Sequence, residues 1–195
     1  MSYSKNKIIC SKKNIMLTLD NDTRIHHIHF TIPSNHFDIQ NYTNFTIYEL
    51  LFELNKDVVE SIEITKQYSE NKADVLIIFK ELGDTIKIPK NYMYITIYKH
   101  RNNDKNEVTF KSENNNNIDS IRHKISGCHR TICDYSLLTI KKEETTIIFN
   151  YAFKFDIAFQ ESNFIYNIIA LLIKKVFYKL KLFIENTINT INDLQ

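Results

Sequence analysis

Residues Ile147–Phe159 read IIFNYAFKFDIAF, and no other stretch of the chain says as much about its fold. The odd positions are Ile147, Phe149, Tyr151, Phe153, Phe155, Ile157 and Phe159, while Asn150, Lys154 and Asp156 fall among the even ones. Successive side chains of a strand point to opposite faces, so this period of two describes one long strand with an aromatic face. That face must be covered, because an exposed aromatic stripe of such length would aggregate.

The cover follows directly in the sequence. From about residue 162 to 192, Ile165, Ile169, Leu172, Val176, Leu180, Phe183 and Ile191 recur at helical spacing. Unbroken, such a helix is roughly 45 Å long at ~1.5 Å per residue. It is expected to pack on the aromatic strand through Ile169, Leu172, Val176 and Phe183. Lys174, Lys175, Lys179 and Lys181 cluster on its remaining surface, which is read as a solvated face or as a contact for an anionic membrane surface. Its longest uncharged stretch, Asn163 to Ile173, falls short of the ~20 residues that span a bilayer, so no transmembrane segment is expected.

Upstream, polar clusters do the punctuating, because Gly and Pro occur only twice each. Residues 1–13 are polar and lysine-rich and read as a flexible N-terminus. Arg24–Pro33 alternates, with Ile28, Phe30 and Ile32 opposite His27, His29 and Thr31. Thr46 and Glu49 have the spacing of a capping box, and Ile47, Leu51, Leu54 and Val58 continue one helical stripe over 46–59. Ser61–Gln67 and Asp74–Leu82 read as strands, the second carrying the buried-strand run Val75–Phe79. Met93–Lys99 and Glu107–Ser112 form a predicted hairpin. The run Asn114–Asn117 is read as an exposed loop. The expected fold class is α+β: antiparallel sheet, one mid-chain helix and a long C-terminal helix packed on the sheet. Residues 14–195 make a single domain, with a division into two lobes near 113–118 as the alternative.

Composition bounds the function. A net charge of +2 leaves no basic excess for a phosphate backbone, and no specific nucleic-acid signature is present. Three cysteines and a lysine-studded start without an apolar run point to a reduced, intracellular setting. Two glycines leave no room for a phosphate loop or a dinucleotide fingerprint, and no cofactor is expected. Asn, Ile and Lys, all encoded by A/T-rich codons, exceed a third of the chain, and Trp is missing. In this bias the chain resembles the uncharacterised proteins of mimivirus-type large DNA viruses. The resemblance implies a viral protein, carried in the virion or made in host cytoplasm. Together with the lack of a strong catalytic motif, this leads to the expectation of a non-enzymatic structural or interaction protein, with protein partners or self-association.

Two constellations offer alternatives. His29-Phe30-Thr31-Ile32 and His129-Arg130-Thr131-Ile132 share the pattern His-x-Thr-apolar. The pair resembles the two-histidine phosphoesterase superfamily. The resemblance implies an enzyme acting on RNA-terminal or cyclic phosphodiesters, with His29 and His129 as acid and base and Thr31 and Thr131 binding phosphate. Such an enzyme needs both tetrads on one cleft. Second, His123, Cys128, His129 and Cys133 are ligand types that zinc accepts, in the spacing H-x4-C-H-x3-C.

Overall fold

The computed structural model describes residues 6–34, 43–81, 88–157 and 163–193, with side chains placed over 167–190 in the last stretch. Among the described residues nine strands form one sheet: β1 (Asn6–Lys12), β2 (Ile15–Asp20), β3 (His26–Pro33), β4 (Val59–Ser69), β5 (Lys72–Phe79), β6 (Asn91–Asn102), β7 (Glu107–Asn114), β8 (His129–Lys142) and β9 (Thr146–Ile157). Two α-helices accompany them, α1 (Thr46–Leu54) between β3 and β4, and α2 (Asn163–Asp193) at the end. The strand order is β1-β2-β3-β9-β8-β7-β6-β5-β4. All of these neighbours are antiparallel, and a short parallel pairing of β6 with β8 adds to them. The α+β class read from the sequence is the observed one.

The alternating strand sits where its pattern demands. β9 lies between β3 and β8, so both its edges are hydrogen-bonded. Phe149, Phe153 and Phe155 are buried on one face and Asn150 is exposed on the other. Tyr151 is half-buried on the inner face; Phe159 lies outside the described residues. Phe149 stacks on Phe30 of β3 with centroids 4.7 Å apart, and Phe177 of α2 closes on Phe30 and Tyr151 at 6.5 and 4.8 Å. The C-terminal helix does cover the aromatic face.

Its buried stripe differs from the expected one. Ala170, Phe177, Leu180, Ile184 and Ile188 point into the core, whereas Phe183 is 39% exposed. Ile169, Leu172 and Val176 are half-buried and face a cavity instead of tight packing. More than half of the residues of this helix are apolar, so several stripes compete, and the sheet it meets chooses among them. Ile165 and Ile191 lie outside the described side chains.

Other expectations are corrected. Residues 6–12 are not a loose lead-in: β1 pairs with β2 through a two-residue turn in which Lys13 and Asn14 have φ of 57° and 56°. Both residues are left-handed, as a type I′ hairpin turn requires. The capping box does not form. Phe45 is the N-cap without a side-chain bond, and Asn44 Oδ1 accepts from the Thr46 amide at 3.0 Å. α1 stops at Leu54, with Asn55 Nδ2 donating back to the Leu51 carbonyl at 2.9 Å. The asparagine run is no lobe boundary, because β7 and β8 on its two sides pair directly. Asn114 clamps Cys133 through both backbone groups, at 2.8 and 3.0 Å, and Arg130 holds the Asn115 carbonyl and Asn116 Oδ1.

Candidate ligand-binding cavity

Between α1, the first half of α2 and the inner face of β4–β9 lies a cavity of about 160 Å³. Its walls are mostly aliphatic and aromatic, among them Ile77, Met93 and Ile95 from the sheet, Leu51 from α1 and Ile173 and Val176 from α2. The sheet builds this wall by an alternation that bulges interrupt in β4 and in β8. In β8, Thr131 and Cys133 are buried at odd positions, but Ser136, Leu138 and Ile140 are buried at even ones. A bulge between Cys133 and Tyr135 makes the change of phase. The extra residue of a bulge resets which side chains face inward, so this one brings Ser136 to the cavity.

A short polar row crosses the wall. The Ser136 hydroxyl donates to Ser112 Oγ and lies beside the Tyr151 hydroxyl, both at 3.3 Å, and Tyr48 bonds to Ser112. Burial pushes the Tyr48 and Tyr151 hydroxyls up from their ordinary pKa, so both stay neutral. Lys80 is the cavity's one Lys, Arg, Asp or Glu side chain among the described residues; it is exposed and its ammonium donates to the Lys56 carbonyl at 2.5 Å.

The residues singled out from the sequence do not converge. His29 and Thr31 lie on the outer face of β3, with His29 Nδ1 2.7 Å from Asn150 Oδ1. Thr131 is buried on the inner face and lines the cavity. Register separates the histidines further. His29 sits opposite Asn150, and Asn150 opposite Thr139, ten positions along β8 from His129. At ~3.3 Å per residue that is about 30 Å along the strand. The two tetrads therefore share no cleft, because β3 and β8 present them on different faces and at different heights. The phosphoesterase arrangement is not built.

The zinc constellation is also dispersed. Cys133 is buried on the inner face, its thiol pushed up to about 12 mainly by burial. Cys128 packs against a second cluster on the outer face, where Leu76, Ile78, Tyr92, Tyr94 and Ile121 are buried beneath the connection before β8. His123 lies on that connection and His129 begins β8, exposed at its edge. Among the described residues no three His, Cys, Asp or Glu side chains gather as metal ligands do. The lysine face of α2 is largely consumed within the chain. Lys175 and Lys179 both reach Asp57, at 2.8 and 2.6 Å, Lys181 pairs with Glu185, and Lys174 reaches Cys10 at 3.2 Å. No helix of the described residues is long and apolar enough to cross a membrane.

The cavity went unread because it has no motif. Its lining comes from eight elements, each contributing residues that look like ordinary core.

No sequence-family model matches the chain, nor does any curated protein. Solved structures do. The human StarD13 (DLC2) lipid transfer and protein localization domain matches with a TM-score of 0.69 at 8% identity, over 91% of this chain and 89% of that one. Human StAR-related lipid transfer protein 5 matches at 0.68 and 7% identity, over 98% and 89%. A STAR-related lipid transfer protein from Xanthomonas axonopodis matches at 0.58 and 9%, over 77% and 81%. At such identity the likeness concerns the path of the backbone: the chain has the α+β fold of StAR-related lipid transfer domains.

Proposed function

We propose that this chain is a non-catalytic carrier domain that encloses an apolar, lipid-like molecule between its sheet and α2. The observation that carries the reading is the cavity, about 160 Å³ of space walled by apolar side chains. Apolar cavities stay dry and accept apolar guests; one of about 150 Å³ takes up benzene. Pockets for drug-sized ligands start at roughly 300 Å³. The space therefore fits a ring or a short chain segment, and a longer lipid requires α2 to lift from the sheet. The human lipid transfer proteins that share the fold support the same class of ligand.

The test is direct. The purified full chain is titrated with a fluorescent fatty-acyl probe and examined by native mass spectrometry for co-purified lipid. Saturable binding of one probe per chain is expected, displaced by unlabelled lipids. No bound lipid, and no saturable binding of fatty acids, sterols or phospholipids, would overturn the reading. A viral source, and with it a place in the virion or host cytoplasm, is a separate proposal from composition, tested by mass spectrometry of purified particles. A protein partner or self-association finds support in Leu171, Leu182 and Phe183, which stand exposed on α2. Light scattering of the wild type and Phe183→Ser tests it.

A further inference from the structure

Four side-chain polar atoms among the described residues are buried without a hydrogen-bond partner: His26 Nε2, Asn55 Oδ1, Asn91 Oδ1 and Arg130 Nε. Of these residues only Asn91 lines the cavity. It opens β6, is 5% exposed, and shares strand parity with the inward Met93, Ile95 and Ile97. Its amide orientation is set locally, because Nδ2 donates to the Pro89 carbonyl and leaves Oδ1 as the unused end.

A buried acceptor without a donor costs more than an ordinary hydrogen bond contributes, so such an atom calls for a partner. Among the described residues no donor of the neighbouring wall supplies one. The Ser136, Ser112, Tyr48 and Tyr151 hydroxyls bond among themselves. The partner also has to be uncharged. Lys80 is exposed and engaged with the Lys56 carbonyl, and among the described residues no other Lys or Arg side chain lines the wall to receive a phosphate or carboxylate. An ion drawn into an apolar cavity without a counter-charge pays heavily in lost hydration.

We propose that the ligand of this cavity is a neutral amphipathic molecule whose hydroxyl donates to Asn91 Oδ1 while its apolar body lies beneath α2. The proposal rests on the carrier reading and narrows it: phospholipids and fatty acid anions would not enter head first, whereas long-chain alcohols or hydroxylated ring systems would. Asn91 is then the residue that sets head-group specificity.

The experiment compares three ligands of one chain length, 1-dodecanol, dodecyl methyl ether and dodecanoate, as competitors of the fluorescent acyl probe on the full chain. The wild type is expected to bind the alcohol about tenfold or more tighter than the ether, which accepts but cannot donate. Asn91→Leu should bring alcohol and ether within about twofold of each other, mainly by loss of alcohol affinity. Equal binding of alcohol and ether by the wild type overturns the proposal while leaving the carrier function standing. So does tighter binding of dodecanoate, or a preference for the alcohol that persists in a folded Asn91→Leu. Should that variant fail to fold, the wild-type comparison decides alone. Binding of neither the probe nor any competitor rejects the carrier reading itself, and this proposal with it.

Discussion

At His26 the imidazole is 7% exposed at the start of β3, stacked on Phe153 with ring centroids 5.4 Å apart. Burial holds its pKa at about 4, well below the ordinary 6.5; a hydrogen bond to Asn167 opposes this, and the nearby Arg24 and His27 add to the lowering. The folded protein therefore keeps this ring neutral where the unfolded chain would protonate it. Stability is full above pH ~6.5 and falls as the pH drops from there toward ~4, by about 3 kcal/mol. His26→Phe keeps the stack on Phe153 and removes the titration. The difference in melting temperature between wild type and variant should widen as pH falls from 7.5 to 4.5. A constant difference over that range would show that His26 does not govern the acid limb.

Among the elements, the β1–β2 hairpin depends on backbone conformation more than on packing. Ile8 on β1 is 62% exposed, so the strand gains little from burial and relies on its pairing with β2. That pairing is set by Lys13 and Asn14, both left-handed. Asn tolerates this region and a β-branched residue does not. Asn14→Val is expected to lower stability by about 1–2 kcal/mol, read as a shift in urea midpoint, and to speed amide exchange along β1. Asn14→Gly should be neutral or stabilising. Equal effects of the two would mean that the turn does not hold the strand. α2 is tied to the far end of the same sheet differently, through Asp57 between Lys175 and Lys179. Exposed ion pairs of this kind contribute up to about 1 kcal/mol each, weak enough to let the helix move over the cavity.

For the whole molecule, the cavity is a reservoir of forgone stability. A cavity of about 160 Å³ leaves the side chains that line it without packing partners on one side. Whatever fills it should stabilise the fold, whether a ligand or a side chain. Val176→Phe projects a larger ring from α2 into this space and is expected to raise the melting temperature while lowering affinity for the acyl probe about tenfold. Lower stability with unchanged binding would place the ligand elsewhere.

The fold was legible wherever one physical signal acted alone. The thirteen-residue alternation around Phe153 reports a strand with a dry face, because period two and aromatic size admit no other use. The long helix that covers it was legible for the same reason. Where two registers competed, the sequence was silent. Leu180 faces the core and Phe183 does not, though both fit a helical stripe, since only the shape of the opposing sheet distinguishes them. The hairpin turn at Lys13-Asn14 lacked the usual glycine and so left no mark. The bulge after Cys133 broke the alternation, so β8 is legible only from about Tyr135 onward, and it is this bulge that turns Ser136 inward. The two His-x-Thr tetrads illustrate the converse: identical local patterns, placed by topology on different faces. The cavity exists only as a relation between elements. Sequence by itself determined the class of fold and the strand around which it is built; the emptiness beneath α2, and the lone acceptor of Asn91 within it, arise from how far apart the packed layers stand, a distance that no residue encodes alone.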